Sequence, residues 1–244
     1  MRWNSRLLAV TLVAIFSGAA LAQEKSVNPG INKPFENADV KEFTKRFEAD
    51  DREVFVQRSA IVAALGLRPG MAVADIGAGT GIFTRLIADG VGSTGKVYAA
   101  DISPAFLAHI AAESKKRGQL QLQTVRCSQE GVNLPPASID LAFLCDVYHH
   151  LEYPSKTLAS IHRALKPGGA LVVVEFDRRE GVSKPFVLEH VRASKEVFLG
   201  EIEAAGFERE SDAATPALKE NFFMRFRKKA EPAEAAPKPG GPAL

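Results

Sequence analysis

VADIGAGTGIFT, Val73 to Thr84, sets three glycines within five residues between an apolar run and an amphipathic one. A turn alone needs one glycine, so the density points to a backbone that lies close against a ligand. Met71 to Ile76 reads as a buried strand and Ile82 to Asp89 as the helix that follows it. The same alternation continues along the chain. Lys96 to Ala100, Leu120 to Val125, Ile139 to Cys145 and Ala170 to Phe176 read as strands, with helices over Pro104 to Arg117 and Ser155 to Leu165. Strands that alternate with helices at this spacing form right-handed crossovers, hence a doubly wound α/β domain with a parallel sheet and helices on both faces. Upstream, Phe43, Phe47, Val54, Phe55, Ile61, Val62 and Leu65 recur at helical spacing, broken near Asp50-Asp51, and predict two helices on a sheet edge. Downstream come a polar loop, a helix from about Ser194 to Ala205, a short run from Glu208 to Asp212, and NFFMRFRKK as a half-buried strand.

In an open parallel sheet the crevice lies outside the carboxyl ends of the strands, where Gly77 to Gly81 fall. A dinucleotide fingerprint would carry a third glycine where Ile82 stands, which disfavours a nicotinamide-dependent oxidoreductase. Asp101 ends the next strand, twenty residues beyond Gly81, where a carboxylate accepts from both hydroxyls of a ribose.

Taken in order, DIGAGTG, the acid Asp101, IDLAFLCDVYHHLEYP and LKPGG before LVVVEF resemble the class I S-adenosylmethionine-dependent methyltransferases, over about Ala60 to Phe176. The resemblance implies a Rossmann-like seven-stranded sheet of order 3-2-1-4-5-7-6, a domain over 38–229, and S-adenosyl-L-methionine as cofactor. It implies that Gly77, Ala78, Gly79, Thr80 and Gly81 wrap the methionine part, with Asp75 near its amino end. Asp101 and its neighbour Ile102 would hold the ribose. The loop Cys127 to Glu130 would cover the adenine, with Ser128 or Gln129 in place of the aspartate that many relatives carry there. The strand order also sets Cys127 and Cys145 too far apart for a disulfide.

Methyl transfer from a sulfonium needs orientation, desolvation and sometimes a base. Asp146, Tyr148, His149 and His150 follow the fourth strand, where this fold brings side chains to the methyl end, and are the candidate catalytic residues. Histidine takes a proton near neutral pH, which suits a hydroxyl, thiol or amine acceptor. The competing reading turns one of the adjacent histidines into the fold, and gives Asp146 to the cofactor. No metal is expected, because adjacent histidines rarely converge on one ion and no H-E-x-x-H spacing occurs, although His190, Glu175 and Asp177 are further potential ligands. Glu189-His190 and Arg178-Arg179 read either as acceptor-pocket groups or as surface. Two cysteines are too few for metalloid methylation. The acceptor expected is a small molecule or a lipid-like one. The alternative is an exported module that binds the nucleoside without transferring a methyl group.

At 244 residues and 46% hydrophobic content the chain is sized for one sizeable α/β domain. Its first 22 residues carry Arg2 and Arg6, an apolar segment and Ala20-Leu21-Ala22, the pattern of a cleavable signal peptide cut between Ala22 and Gln23. That predicts a periplasmic or otherwise exported protein with no stable membrane insertion after cleavage. Without those residues the chain holds 29 basic and 29 acidic side chains, which argues against a nucleic-acid surface. Residues 23–37 read as an extended lead-in and 230–244, rich in Pro, Ala and Gly, as a disordered tail. Oligomeric state is left open.

Overall fold

The computed structural model describes residues 23–210 and 215–230; the signal-peptide segment 1–22, most of the tail reading and the end of the Glu208 to Asp212 run lie outside the described residues. The chain enters through a short helix α1 (Lys33–Glu36), then α2 (Val40–Phe47), α3 (Glu53–Val56) and α4 (Arg58–Ala64). Asp39 caps α2 by accepting the backbone N–H groups of Lys41 and Glu42. The alternating region follows as β1 (Ala72–Ile76), α5 (Ile82–Val91), β2 (Lys96–Asp101), α6 (Pro104–Arg117), β3 (Leu122–Arg126), β4 (Ile139–Cys145), a 3-10 turn (Tyr148–His150), α7 (Pro154–Ala164) and β5 (Leu165–Phe176). Proline at the first turn opens α6, and left-handed Gly118 closes it. Then come α8 (Pro185–His190), α9 (Lys195–Ala204), β6 (Phe207–Arg209) and β7 (Asn221–Lys228).

The seven strands run β3-β2-β1-β4-β5-β7-β6, as the resemblance implies, parallel except where β7 pairs antiparallel with β5 and β6. Alternating residues of the buried strands feed two cores. On one face Val73, Val97, Leu141 and Val172 meet Ile61 of α4, Leu65 at its end and Ile87 of α5. On the other, Ala74, Tyr98, Leu144 and Val173 meet Leu158 and Ile161 of α7 and Phe198 and Ile202 of α9. The N-terminal helices therefore do not sit on a sheet edge: α4 covers the sheet's face beside α5, because Ile61 and Leu65 are wholly buried there. There are also more of them than the periodicity predicts, since a break at Gln57 separates α3 from α4. Strand β5 starts five residues earlier than predicted, where KPGG bulges away and rejoins β4. Among the described residues no helix is long and apolar enough to cross a membrane.

The lead-in lies folded onto the body. Gln23 and Val27 donate to the carbonyl of Glu152, and the Glu152 carboxylate accepts from Ser26 and the Gly30 N–H.

Candidate functional site

A cavity of about 500 Å³ opens at the carboxyl ends of β1, β2 and β4. One end is the glycine loop. Gly77 and Ala78 donate to the carbonyl of Ala100, and Gly77, Gly79 and Gly81 all take left-handed φ. A side chain at Gly77 would collide with Val147 at 2.4 Å, so the loop is drawn against the turn that follows β4. Gly77, Ala78, Gly79 and Thr80 line the cavity with Asp101, Ile102, Ser128 and Gln129. Gly81 stands behind them and fits because a Cβ there would press on Ile110 at 2.9 Å.

Asp101 accepts from the Gly79 N–H at 2.9 Å and the Ser103 N–H at 2.7 Å, one on each oxygen. A carboxylate offers about four lone-pair directions, so two remain for a ligand's hydroxyls. Burial raises its pKa above the usual carboxylate range. These features fit the ribose-and-methionine cradle of the cofactor that the motifs imply. Asp75 differs from expectation. Its carboxylate points beneath α5, accepts from Thr84 Oγ1 at 2.5 Å, does not line the cavity, and is pushed by burial up to about 7.

The middle of the cavity is held by Asp146, left-handed at φ +52°. Its oxygens accept from Arg52 at 2.8 Å and from Asn221 Nδ2 at 2.6 Å, which ties three distant segments together. Burial raises its pKa, against the Arg52 guanidinium, which lowers it. Arg52 itself lines the cavity, a role invisible in the sequence because its partner lies 94 residues away.

Tyr148 is not brought to the cavity. Its ring packs on Phe198 at 4.9 Å within the core, and its hydroxyl donates to Glu201 at 2.9 Å. Its neighbours are. His149 and His150 line the cavity with His190 of α8, a helix where the sequence reads as a polar loop. Ring centroids stand 4.2 Å apart for the adjacent pair and 5.0 Å from each to His190. His149 Nδ1 meets Glu175 Oε1 at 2.8 Å, and its backbone N–H donates to Oε2. His150 is driven by burial down to about 2, so its ring is neutral; burial lowers His190 as well. The expectation that adjacent histidines diverge is not met, since the 3-10 turn sends both rings to one side and α8 adds the third.

The remaining wall is aromatic. Phe35, Phe43, Phe47 and Phe106 interlock with centroids 5.2 to 6.4 Å apart, and Phe186 stacks on His190. Phe43 and Phe47, read from periodicity as sheet-facing, face this cavity instead. Asn32 closes the rim by donating to Gln129 Oε1 at 2.8 Å and the His150 carbonyl at 2.9 Å. Cys145 lines the floor and Cys127 the loop after β3, both as unpaired thiols that burial keeps protonated.

Residues 74–173 match the family described as methyltransferase domain. Over 130 residues the chain is 32% identical to the ubiquinone/menaquinone biosynthesis C-methyltransferase UbiE of Bordetella avium, across 53% of this chain and 49% of that one. The chain thus spans about half the length of the curated relatives it matches. A SAM-dependent methyltransferase from Aquifex aeolicus superposes with a TM-score of 0.66 at 24% identity, over 79% of this chain and all of that one. A possible exported protein from Bordetella parapertussis does so with a TM-score of 0.56 at 18% identity, over 73% and 69%. The strand order is that of the Rossmann-like methyltransferase fold, and the matched domain implies S-adenosyl-L-methionine as the cofactor.

Proposed function

We propose that this chain is an exported S-adenosylmethionine-dependent methyltransferase that acts on a small-molecule or lipid-like acceptor. The observation that carries the proposal is a single cavity that joins a nucleoside-type cradle to an aromatic chamber ending in histidines. The cofactor's sulfonium supplies an electrophilic methyl group. Gly77 to Thr80 and Asp101 hold it, Ser128 and Gln129 stand beside the adenine position, and Asp146 with Arg52 forms the floor between cofactor and acceptor. Phe35, Phe43, Phe47 and Phe106 exclude water and take the acceptor's apolar body. A flat apolar ring suits these walls, in keeping with the likeness to quinone-biosynthesis enzymes. His149 and His150 turn imidazole nitrogens toward the acceptor's end. The N-terminal pattern supports export, and one structural neighbour is described as a possible exported protein.

Calorimetric titration of residues 23–244 with S-adenosylhomocysteine, with NADH for comparison, tests the cofactor. Micromolar binding of the first alone is the expected result, and Asp101→Ala weakens it by about 1 to 3 kcal/mol because it leaves ribose hydroxyls unpaired. Equal binding of both ligands, or of neither, overturns the proposal.

A further inference from the structure

We propose that His149, His150 and His190 form a binding site for one divalent transition-metal ion at the acceptor end of the cavity. One nitrogen from each ring lies within 4.8 Å of the other two. Nε2 of His150 and Nε2 of His190 face each other at 3.3 Å. Nitrogens that share a tetrahedral zinc ion at 2.0 to 2.1 Å lie about 3.4 Å apart, so this pair already has the separation of two ligands. Bringing the third into place needs a shift of about 1.5 Å at most, within reach of side-chain rotation.

Two further observations point to a cation rather than to a packed histidine cluster. His149 Nδ1 is held by the Glu175 carboxylate, which fixes the tautomer and leaves Nε2 as the nitrogen for a ligand, the carboxylate–histidine arrangement found behind metal-bound imidazoles. Glu175 is fully buried and Asp146 nearly so, the Glu175 carboxylate raises the cost of ionising Asp146, and Arg52 is bonded to Asp146. A divalent ion next to His149 would offset that buried negative charge. Arg46, on the rim, acts the other way by lowering the affinity of both outer rings for positive charge.

Three protein nitrogens leave a fourth position open toward the cavity, the pattern of a catalytic rather than a structural ion. A hydroxyl or thiol of the acceptor that fills this position loses its proton to solvent. Its lone pair then takes the methyl group, and the carbon–sulfur bonding pair stays on the departing sulfide. This use of the ion rests on the cofactor reading above; ion binding itself does not.

The test uses untagged protein, residues 23–244, stripped with a chelator and titrated with Co²⁺ by absorbance and with Zn²⁺ by competition. One equivalent should bind and give the intense visible bands of a tetrahedral centre. His190→Ala should weaken zinc binding at least about 100-fold, and Glu175→Gln about 10- to 100-fold. Retained S-adenosylhomocysteine binding shows that both variants are folded. No stoichiometric cobalt binding, or binding unmoved by His190→Ala and His150→Ala, overturns the proposal and leaves the cofactor reading intact. Cobalt bound as expected with no S-adenosylhomocysteine binding upholds the metal site and removes the cofactor reading instead.

Discussion

Tyr148 lies in the stretch after β4 expected to face the ligand, and only its direction takes it out of the cavity. The 3-10 turn sends Tyr148 to the core and both histidine rings to the cavity. Residue type and position are legible in a sequence; direction within a three-residue turn is not. Tyr148→Phe should therefore cost about 1 to 3 kcal/mol in urea unfolding, through the lost bond to Glu201, and leave S-adenosylhomocysteine affinity unchanged. Asp75 misleads for a related reason, because it alternates to the face under α5. Its folded pKa, about 7, lies above the ordinary value of 3.8. Between pH 4 and 7 the unfolded chain gives up this proton while the folded chain keeps it, so stability falls as pH rises through that window. Burial raises Asp101 and Asp146 in the same direction. Asp75→Asn should flatten the stability–pH curve from pH 4 to 7 but not abolish its slope; an unchanged slope would show that Asp75 is ionised in the fold.

Elements with strong periodicity are the ones the sequence predicts well. Helix α6 and strand β4 have the predicted bounds, because proline and glycine punctuate the first and an unbroken apolar run defines the second. Helix α8 is hidden, since its six residues bury only Val187 and offer no apolar stripe. The glycine loop is legible as a close approach, but to a ligand; its contact with Val147 is a tertiary fact. Gly77→Ala combines a left-handed φ of +69° with that collision and should cost about 2 to 4 kcal/mol. Adding Val147→Ala should restore the packing part and leave the backbone part, which a double-mutant cycle measures.

At the scale of the whole molecule, the strand order follows from the alternation and the resemblance, whereas the cavity's roof depends on contacts between remote segments. Arg52 reaches Asp146, and Glu53 accepts the backbone N–H groups of Lys219, Glu220 and Asn221 at 2.6 to 2.9 Å. Two neighbouring side chains thus clamp the N-terminal helices to the turn after β4 and to the start of β7, and no local pattern encodes this. Glu53→Ala should lower stability by about 1 to 3 kcal/mol and speed hydrogen exchange in α2 and β7 together, whereas exchange confined to one of them would show that the clamp does not couple the two. The clamp also sets an order of events for a chain that emerges with its N-terminus first. Glu53 appears 166 to 168 residues before its partners, so this part of the clamp waits until β7 is out, although Arg52 and the phenylalanines meet Asp146 and Phe106 earlier. The ligand chamber is complete only when segments more than 160 residues apart have met, so its roof waits on the last strand of the sheet.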